Sequence, residues 1–251
     1  MNEQKPKLQL FNLPEQQPLK SLRSFSHTLS EQDQKLLATP RLLTKESSTG
    51  GREYILPDGS SCVSMTTLLG AVMKDKTKAL DKWRKRVGAE EAEKITVSAA
   101  TRGTNFHKNV ELYLSNQLDF HSLDPFESQT FEAALPALNR INNIRLIEQG
   151  LYSTKHRIAG TVDCIAEFDH IPSIIDHKTS RKEKRESWIE HYFLQKTGYA
   201  LMYEELTGHK IDQIVTLISV AETHSYQVFI KSAAQYKPRL LELISEYYAT
   251  C

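Results

Sequence analysis

Two carboxylates and a lysine lie in the otherwise apolar segment GTVDCIAEFDHIPSIIDHKTS, residues 160–180. Gly160 precedes Asp163 by three positions, and Asp176 follows two isoleucines and precedes Lys178 by two positions. Ionised side chains seldom lie in core strands unless they are paired or bind a metal ion. Because residues two apart in a strand share a face, Asp176 and Lys178 should point into the same space.

These residue types fit metal-assisted chemistry on a phosphodiester. Two close carboxylates repel each other and raise one pKa unless a cation lies between them. Mg²⁺ or Mn²⁺ would polarise the phosphate and lower the pKa of a bound water, and a lysine would position that water or neutralise charge. The alternative is a structural ion pair between Asp176 and Lys178, or two strand-end residues that face solvent. A motif as short as Asp-x-Lys does not by itself separate these interpretations.

Hydrophobic periodicity predicts the elements that position these residues. Residues 144–153, 155–168 and 172–180 are predicted to form three strands in an antiparallel meander. That arrangement brings Asp163 within reach of Asp176, although the sequence does not set the register. Helices are predicted upstream around residues 67–72, from 79, after 104 and over 126–143, with Pro136 as a break or kink, and downstream over 188–208 and 233–249.

Length and composition indicate one large mixed domain. The chain has 251 residues, of which 39% are hydrophobic, so it can bury a sizeable core. Residues 1–50 are polar and interrupted by prolines, which predicts a loosely ordered N-terminal arm with one short helix at residues 30–38. No apolar run is long enough to span a membrane, and no membrane partner is expected. The three dispersed cysteines, Cys62, Cys164 and Cys251, favour a reducing cytoplasm.

A formal net charge of +1 excludes a global positive field, so contact with nucleic acid would depend on local basic patches. One such patch is residues 74–86 and the other is RKEKR, residues 181–185, directly after the Asp-x-Lys motif. Trp83 and Trp188 lie in or beside these patches and could stack on bases. A solvated helix face or loop is the alternative interpretation of each patch.

The segment at residues 160–180 resembles the Gly-x-x-Asp and Asp-x-Lys core of the PD-(D/E)xK nuclease superfamily, particularly its RecB-like branch. RGTNFH at residues 102–107 and the Gln-x-x-x-Tyr pattern of Gln195 and Tyr199 occur in the order expected of that branch, so the resemblance covers about half the chain. Within the branch, the chain is similar to the family of mitochondrial genome maintenance exonucleases and their phage and bacterial relatives.

The resemblance implies a role for each matching residue. Asp163 and Asp176 would be catalytic metal ligands, and Lys178 would be the catalytic lysine. His107 and the backbone carbonyl of His177 would complete the metal shell. In isolation, a helix histidine such as His107 is more often a surface or core residue than a ligand.

Further residues are expected to support the site or to contact DNA. Glu148, Gln195 and Tyr199 would be supporting residues, and Tyr199 is equally explained as part of an apolar helix face. The residues expected to contact DNA are Arg102, Arg181, Lys182, Arg185 and Trp188.

The implied fold is an α/β restriction-endonuclease-like core with a mixed central sheet flanked by helices and a helical N-terminal elaboration. Residues 51–251 would form one nuclease domain, with a mainly helical part at 51–143 and the catalytic core at 144–251. The source expected from the resemblance is a bacterial or phage-infected cell.

The implied activity is that of a DNA exonuclease in repair, recombination or replication. It would use one or two Mg²⁺ or Mn²⁺ ions, prefer single-stranded DNA and leave 5′-phosphates, with no iron–sulfur cluster. Two alternatives stay open: a structure-specific or duplex endonuclease on the same core, and a non-catalytic nucleic-acid-binding recombination accessory protein.

Overall fold

The computed structural model describes residues 22–47 and 50–250, and for residues 74–80 only the course of the backbone. Seven helices are described: α1 (Glu31–Ala38), α2 (Met65–Val72), α3 (Lys74–Val87), α4 (Ala89–Leu114), α5 (Pro125–Leu138), α6 (Glu190–Thr207) and α7 (Ala233–Thr250). Eight strands are described: β1 (Leu43–Glu46), β2 (Arg52–Ile55), β3 (Ser61–Ser64), β4 (Ile141–Ser153), β5 (Ile158–Phe168), β6 (Ile171–Ser180), β7 (Gln213–Val220) and β8 (Ser225–Ser232).

The strands form one mixed sheet in the order β1-β2-β3-β5-β6-β7-β8, and β4 pairs with β5. β3 runs parallel to β5 and β6 parallel to β7, whereas the other pairs are antiparallel. The predicted meander is confirmed as β4, β5 and β6. The expectation of a mixed central sheet flanked by helices is therefore confirmed.

Helices cover both faces of the sheet because its central strands are apolar on both faces. Ile174 and Ile214 belong to an apolar cluster with α2, α6 and α7. Their chain neighbours Ile175 and Val215 belong to a second cluster with α4 and α5. Since successive strand residues point to opposite faces, the sheet is the middle of three layers.

Local sequence signals set several of the helix ends. Ser64 and Asp124 accept hydrogen bonds from the first backbone N–H groups of α2 and α5, as N-cap residues do. Gly208 ends α6 in the left-handed conformation, as predicted from its position. The helix predicted over 126–143 is shorter than expected. It continues past Pro136 but ends at Leu138, and β4 begins at Ile141. Asn143 has a φ of 46°, which a helix does not allow and asparagine tolerates.

The described part of the expected N-terminal arm packs on the core. The predicted short helix is α1, and Ser30 and Asp33 form a capping box at its start. Asp33 is fully buried and accepts a hydrogen bond of 2.7 Å from the Tyr203 hydroxyl. Phe25 is also buried. Parts of residues 22–47 thus contact the core. The loosely ordered arm stays a prediction, and residues 1–21 and 48–49 lie outside the described residues.

One edge of β5 has an unpaired stretch between the residues that pair with β3 and those that pair with β6. β6 pairs with β5 from Phe168 back to Cys164, and β3 pairs with it only at Ile158 and Ala159. Residues 160–162 of β5 therefore pair with β4 on one edge, whereas residues 160–163 pair with no described strand on the other. This gap, called the fork below, contains Asp163. No helix of the described residues has the length and apolarity needed to cross a membrane.

Gly160 is required at the fork because Tyr199 of α6 packs directly against its backbone. A β-carbon at this position would lie 2.6 Å from Tyr199 Cε1. We expect Gly160→Ala to destabilise the protein by about 1–3 kcal/mol, the usual cost of overpacking. Urea unfolding monitored by circular dichroism measures this change.

The matched control is Gly70→Ala in α2, where a β-carbon would meet nothing within 4 Å. Alanine has the higher helix propensity, so this change should leave stability equal or raise it by up to about 1 kcal/mol. Adding Tyr199→Leu should reduce the penalty of Gly160→Ala. An unfolding midpoint of Gly160→Ala equal to that of the parent would contradict the assigned close contact.

Candidate metal centre

The ladder between β5 and β6 stops immediately before two aspartates. Its last pair among the described residues is Cys164 with Ile175, so the register would place Asp163 opposite Asp176. Like charges directly opposite each other destabilise paired strands. Instead, Asp163 Oδ2 accepts a hydrogen bond of 2.8 Å from the His177 backbone N–H. The Asp163 side chain thus accepts the hydrogen bond that a paired strand would otherwise accept. Both carboxylates lie at the mouth of the fork.

Helix α4 brings His107 to the fork. His107 Nδ1 lies 3.4 Å from Asp163 Oδ2 and 3.9 Å from Glu148 Oε1. One turn earlier, a β-carbon on Gly103 would lie 3.6 Å from Thr179 Oγ1. The backbone of α4 thus passes close to the end of β6, which places the imidazole beside the strands.

Glu148 reaches the same point through an unusual backbone conformation. It lies in β4 with a φ of 49°, in the left-handed region that non-glycine residues seldom adopt. One potential ligand atom each from His107, Glu148 and Asp163 lies within 4.8 Å of the other two. Strained backbone of this kind concentrates at functional sites. One imidazole nitrogen and two carboxylate oxygens form a donor set suited to Mg²⁺, Mn²⁺ or a related divalent cation.

Asp176 is fully buried and lies between two lysines. Its Oδ1 is 2.5 Å from Lys178 Nζ, and its Oδ2 is 3.6 Å from Lys196 Nζ. Lys196 is also fully buried and donates a hydrogen bond of 2.7 Å to the Tyr192 carbonyl. The Lys178 side chain is 21% exposed, so its ammonium group reaches from the buried carboxylate to the surface.

The two aspartates have opposite pKa shifts. Burial, and after it the neighbouring Asp176 carboxylate, raise the pKa of Asp163 to about 6, against the opposing charges of Lys178 and His107. Burial also raises the pKa of Asp176, but the ammonium groups of Lys178 and Lys196 outweigh it and lower this pKa to about 2. Asp163 therefore has too little positive charge around it, whereas Asp176 is well compensated.

The two cationic partners at the fork respond to the same surroundings. Burial lowers the pKa of Lys196 to about 8, against the attraction of Asp176. Burial lowers the pKa of His107 too, but the interaction with the Glu148 carboxylate 3.9 Å away and the charge of Asp163 raise it above the ordinary value. The proton on His107 and a metal ion would thus compete for the same negative charge.

The arrangement differs in two ways from the ligand set inferred from the sequence. Glu148, expected to be a supporting residue, lies among the potential ligand atoms with His107 and Asp163. Asp176, expected to be a ligand, is outside that group because it is paired with Lys178 and Lys196. Its Oδ2 forms no hydrogen bond with any described residue, so it keeps a lone pair for a cation.

His177 contributes its backbone rather than its side chain. Its N–H is bonded to Asp163, whereas neither ring nitrogen has a hydrogen-bond partner among the described residues. The ring is buried on the α4 side of the sheet, and burial lowers its pKa to about 3. Metal binding by the His177 carbonyl stays a prediction.

Gln195 and Tyr199 support the fork from α6. Gln195 Nε2 donates a hydrogen bond of 2.7 Å to Tyr199 Oη, and both side chains are buried. Tyr199 packs on Gly160, three residues before Asp163. This pair therefore positions β5 at the fork and does not lie on the exposed surface.

The residues expected to contact DNA lie in different surroundings. Arg181 and Lys182 both reach Glu222, at 2.7 and 3.9 Å. The Arg185 guanidinium lies over the Trp188 ring, 5.2 Å from its centroid, and Trp188 is 58% exposed. Arg102 lines a separate cavity between α4 and α5. Of the upstream patch, Trp83 is half-buried and Lys82, Arg84, Lys85 and Arg86 are exposed.

An open cleft lies above the candidate centre. Its volume is about 600 Å³, and His107, Glu148, Lys178 and Thr179 line it together with the exposed Lys108 and with Gly103. Two of the three potential metal ligands, His107 and Glu148, and the lysine are therefore accessible from one concave surface.

Sequence reasoning does not find Lys196. It follows Gln195 in a helix with polar residues at several positions, and nothing in its spacing shows that the side chain turns inward to Asp176. We expect Lys196→Met to destabilise the protein by about 3 kcal/mol, because removing one partner leaves a buried carboxylate undercompensated. Urea unfolding measures the change.

Two further variants test the cause. Lys210→Met removes an exposed lysine just beyond α6 and should change stability by no more than about 0.5 kcal/mol. Adding Asp176→Asn to Lys196→Met should recover part of the loss, because the buried charge is then absent. If Lys196→Met is as stable as Lys210→Met, the ion pair does not hold Asp176.

Comparison with known proteins indicates independently to which proteins this chain is related. Over 199 residues, the chain is 26% identical to mitochondrial genome maintenance exonuclease 1 of Homo sapiens, covering 73% of this chain and 57% of the human protein. Over 131 residues, it is 27% identical to the Mus musculus protein of the same name, covering 50% of this chain and 39% of that protein. The chain thus spans less than two thirds of the length of these relatives.

No protein-family model matches the chain. Among solved structures, the crystal structure of SSO0001 superposes with a TM-score of 0.41 at 11% identity, covering 88% of this chain and 83% of that one. Similarity at that level carries no functional argument. The two exonuclease relatives show that the chain is homologous to mitochondrial genome maintenance exonuclease 1.

Proposed function

We propose that the chain is a divalent-metal-dependent DNA exonuclease of the PD-(D/E)xK superfamily, with a restriction-endonuclease-like core. The observation that carries the proposal is the convergence of His107, Glu148 and Asp163 at the fork, beside the buried Asp176 and Lys178. Homology to a named exonuclease supports DNA as the substrate class.

The chain's own groups fit a divalent cation. His107, Glu148 and Asp163 would hold it, with Asp176 Oδ2 as a further oxygen next to them. When bound, the cation neutralises phosphate charge and makes a water molecule a stronger nucleophile. The raised pKa of Asp163 is the response expected of a carboxylate that lacks such a counter-ion.

Lys178 would act on the substrate rather than hold the metal. Asp176 fixes its ammonium group at 2.5 Å, and the attraction of Asp176 and Asp163 outweighs burial, so the pKa of Lys178 is raised and the group stays charged. From the wall of the cleft, this charge can orient a water molecule or stabilise negative charge that develops on the phosphate.

An exposed aromatic side chain beside a basic one supports a preference for single-stranded DNA. Trp188 is exposed beside Arg185, and single-strand binding combines basic side chains with aromatic surfaces on which bases stack. The cleft is open rather than a closed pocket, which a flexible strand can enter. Phosphodiester hydrolysis leaving 5′-phosphates is part of the proposal.

We expect the parent protein to degrade linear single-stranded DNA with Mg²⁺ or Mn²⁺ and not with EDTA. Lys178→Ala should lower the rate by about 10²-fold or more, because the variant lacks a positioned charge at the reacting phosphate. End-labelled linear single strands, linear duplexes and circular single strands, resolved on denaturing gels, measure both rate and products.

The matched control is Lys210→Ala, an exposed lysine outside the cleft, which should cleave at the parent's rate. Cleavage of the circle would replace the exonuclease with an endonuclease on the same core. If the folded parent cleaves none of these substrates, catalysis is excluded under these conditions. Mn²⁺ titration calorimetry would then show whether Asp163→Asn removes a metal site from a non-catalytic DNA-binding protein.

The basic run at residues 181–185 gives a second prediction. Neutralising Arg181, Lys182 and Arg185 to glutamine should reduce the slope of log Kd against log salt by about 0.7 for each phosphate that the protein no longer neutralises. Arg185→Gln alone should give most of this change, since Arg181 and Lys182 already share Glu222. Fluorescence anisotropy in EDTA at several salt concentrations measures the slope.

Glu222→Gln is the control for this run. It releases Arg181 and Lys182 from their acidic partner, so the slope should stay the same or increase. An unchanged slope in the triple variant would identify the run as a solvated loop that does not touch phosphates.

A further inference from the structure

A second concave surface lies on the other flank of α4. This α4–α5 cavity has a volume of about 350 Å³ and lies between α4 and the first turns of α5. Its α4 wall includes Asn109, which is about 200° around the helix from His107 at 3.6 residues per turn. Helix α4 therefore separates the cavity from the candidate metal centre. A cavity of this size is in the range that holds small organic groups.

Two polar groups in this cavity have no hydrogen-bond partner among the described residues. Asn109 is 9% exposed, yet its side-chain amide forms no hydrogen bond with any described residue. Arg102 also lines the cavity, and its Nε is buried without a hydrogen bond to the described part of the chain. A ligand that bonds to these groups would satisfy the buried Arg102 Nε and would give the Asn109 amide, which keeps some contact with solvent, a partner.

The other walls present carboxylates and aromatic rings. The Glu127 carboxylate accepts a hydrogen bond of 2.7 Å from Asn105, and the Asp124 carboxylate caps α5. Phe126 is 48% exposed at this wall, whereas Phe106 is buried. A phosphate would meet two carboxylates against one arginine, which disfavours an anion. A neutral planar ring with donors and acceptors on its edge would suit the amide, the carboxylate and the phenyl ring together.

We propose that the α4–α5 cavity binds one nucleobase of the DNA strand whose phosphodiester lies at the candidate metal centre. The base would stack on Phe126 and bond through its edge to Asn109 and Arg102. The inference rests on the proposed function for the identity of the ligand. It adds a second binding site that is separate from the hydrolytic residues.

The geometry of α4 connects the two sites. A helix with its side chains is about 10–12 Å across, which corresponds to about three nucleotides of a stacked strand. Thr104 and Lys108 are exposed on the ridge of α4 between the two concave surfaces and can contact the sugar-phosphate chain as it crosses. The base held in the cavity is thus about three nucleotides from the phosphate in the cleft.

A fluorescent base tests the proposal directly. A series of single-stranded oligonucleotides carries 2-aminopurine at one position each, counted from the same end, and is bound to the full chain in EDTA so that the DNA stays intact. We expect the fluorescence to change at one position or two adjacent positions. A uniform response at all positions would overturn the proposal.

Variants locate the responding base. Asn109→Leu keeps the volume but removes the amide, and Phe126→Ala removes an exposed ring without disturbing the core. Each should abolish the position-specific response and weaken oligonucleotide binding about tenfold, as expected when one stacking or hydrogen-bonding group is removed. Arg102→Gln should act in the same direction. The matched charge control is Lys94→Gln, an exposed lysine of α4 paired with Glu90 at 2.8 Å, which should keep the response.

Two experimental outcomes separate a failure of this inference from a failure of the proposed function. If the parent hydrolyses DNA but Phe126→Ala and Asn109→Leu keep the position-specific response, the cavity does not bind a base. If the parent hydrolyses nothing and the response is still abolished in both variants, the cavity binds a base and the hydrolytic assignment is wrong.

Discussion

The opening of β5 between β3 and β6 is the constraint on which the candidate site depends. If the ladder of β5 and β6 continued by one pair, Asp163 and Asp176 would lie opposite each other as like charges. The strands part at that position, and the Asp163 carboxylate takes the N–H of His177 in place of a backbone carbonyl. The substitution keeps the buried N–H satisfied, and it frees the second oxygen of Asp163 for another partner. A break in the sheet therefore creates the site without leaving a buried donor unpaired.

Charge is distributed unevenly across this opening. The partly exposed ammonium group of Lys178 and the buried one of Lys196 both lie against Asp176. Among the described side chains, Asp163 and Glu148 have only His107 within the same distance range. Burial of Asp163 in such surroundings raises its pKa to about 6, so the site gains by binding either a proton or a cation. The lysines could not serve both aspartates, and the side that they leave uncompensated contains the three potential ligand atoms.

The sequence predicts elements whose pattern is local and misses features that depend on distant contacts. Alternation of apolar residues predicts β4, β5 and β6, and Gly208 marks the end of α6. The shared face of Asp176 and Lys178 follows from the two-residue period alone. In contrast, the parallel pairing of β3 with β5 joins segments about 95 residues apart, and no local pattern encodes it. The inward turn of Lys196 and the left-handed backbone of Glu148 are likewise set by packing around Asp176 and His107. Sequence order therefore grouped residues that the fold brings together, but it did not indicate which of them lie within ligand distance of one another.

The position of helix α4 is constrained on both of its flanks, and no pattern in its own sequence indicates these constraints. At Gly103 the backbone of α4 lies close to Thr179. One turn further along the helix, His107 lies beside Asp163. On the opposite flank, Asn109 is buried without a partner in the described part of the protein. Because one rigid helix carries both groups, a strand held at Asn109 as proposed would have its phosphates set in register with His107. Binding on one flank of α4 would then position the proposed reacting bond on the other.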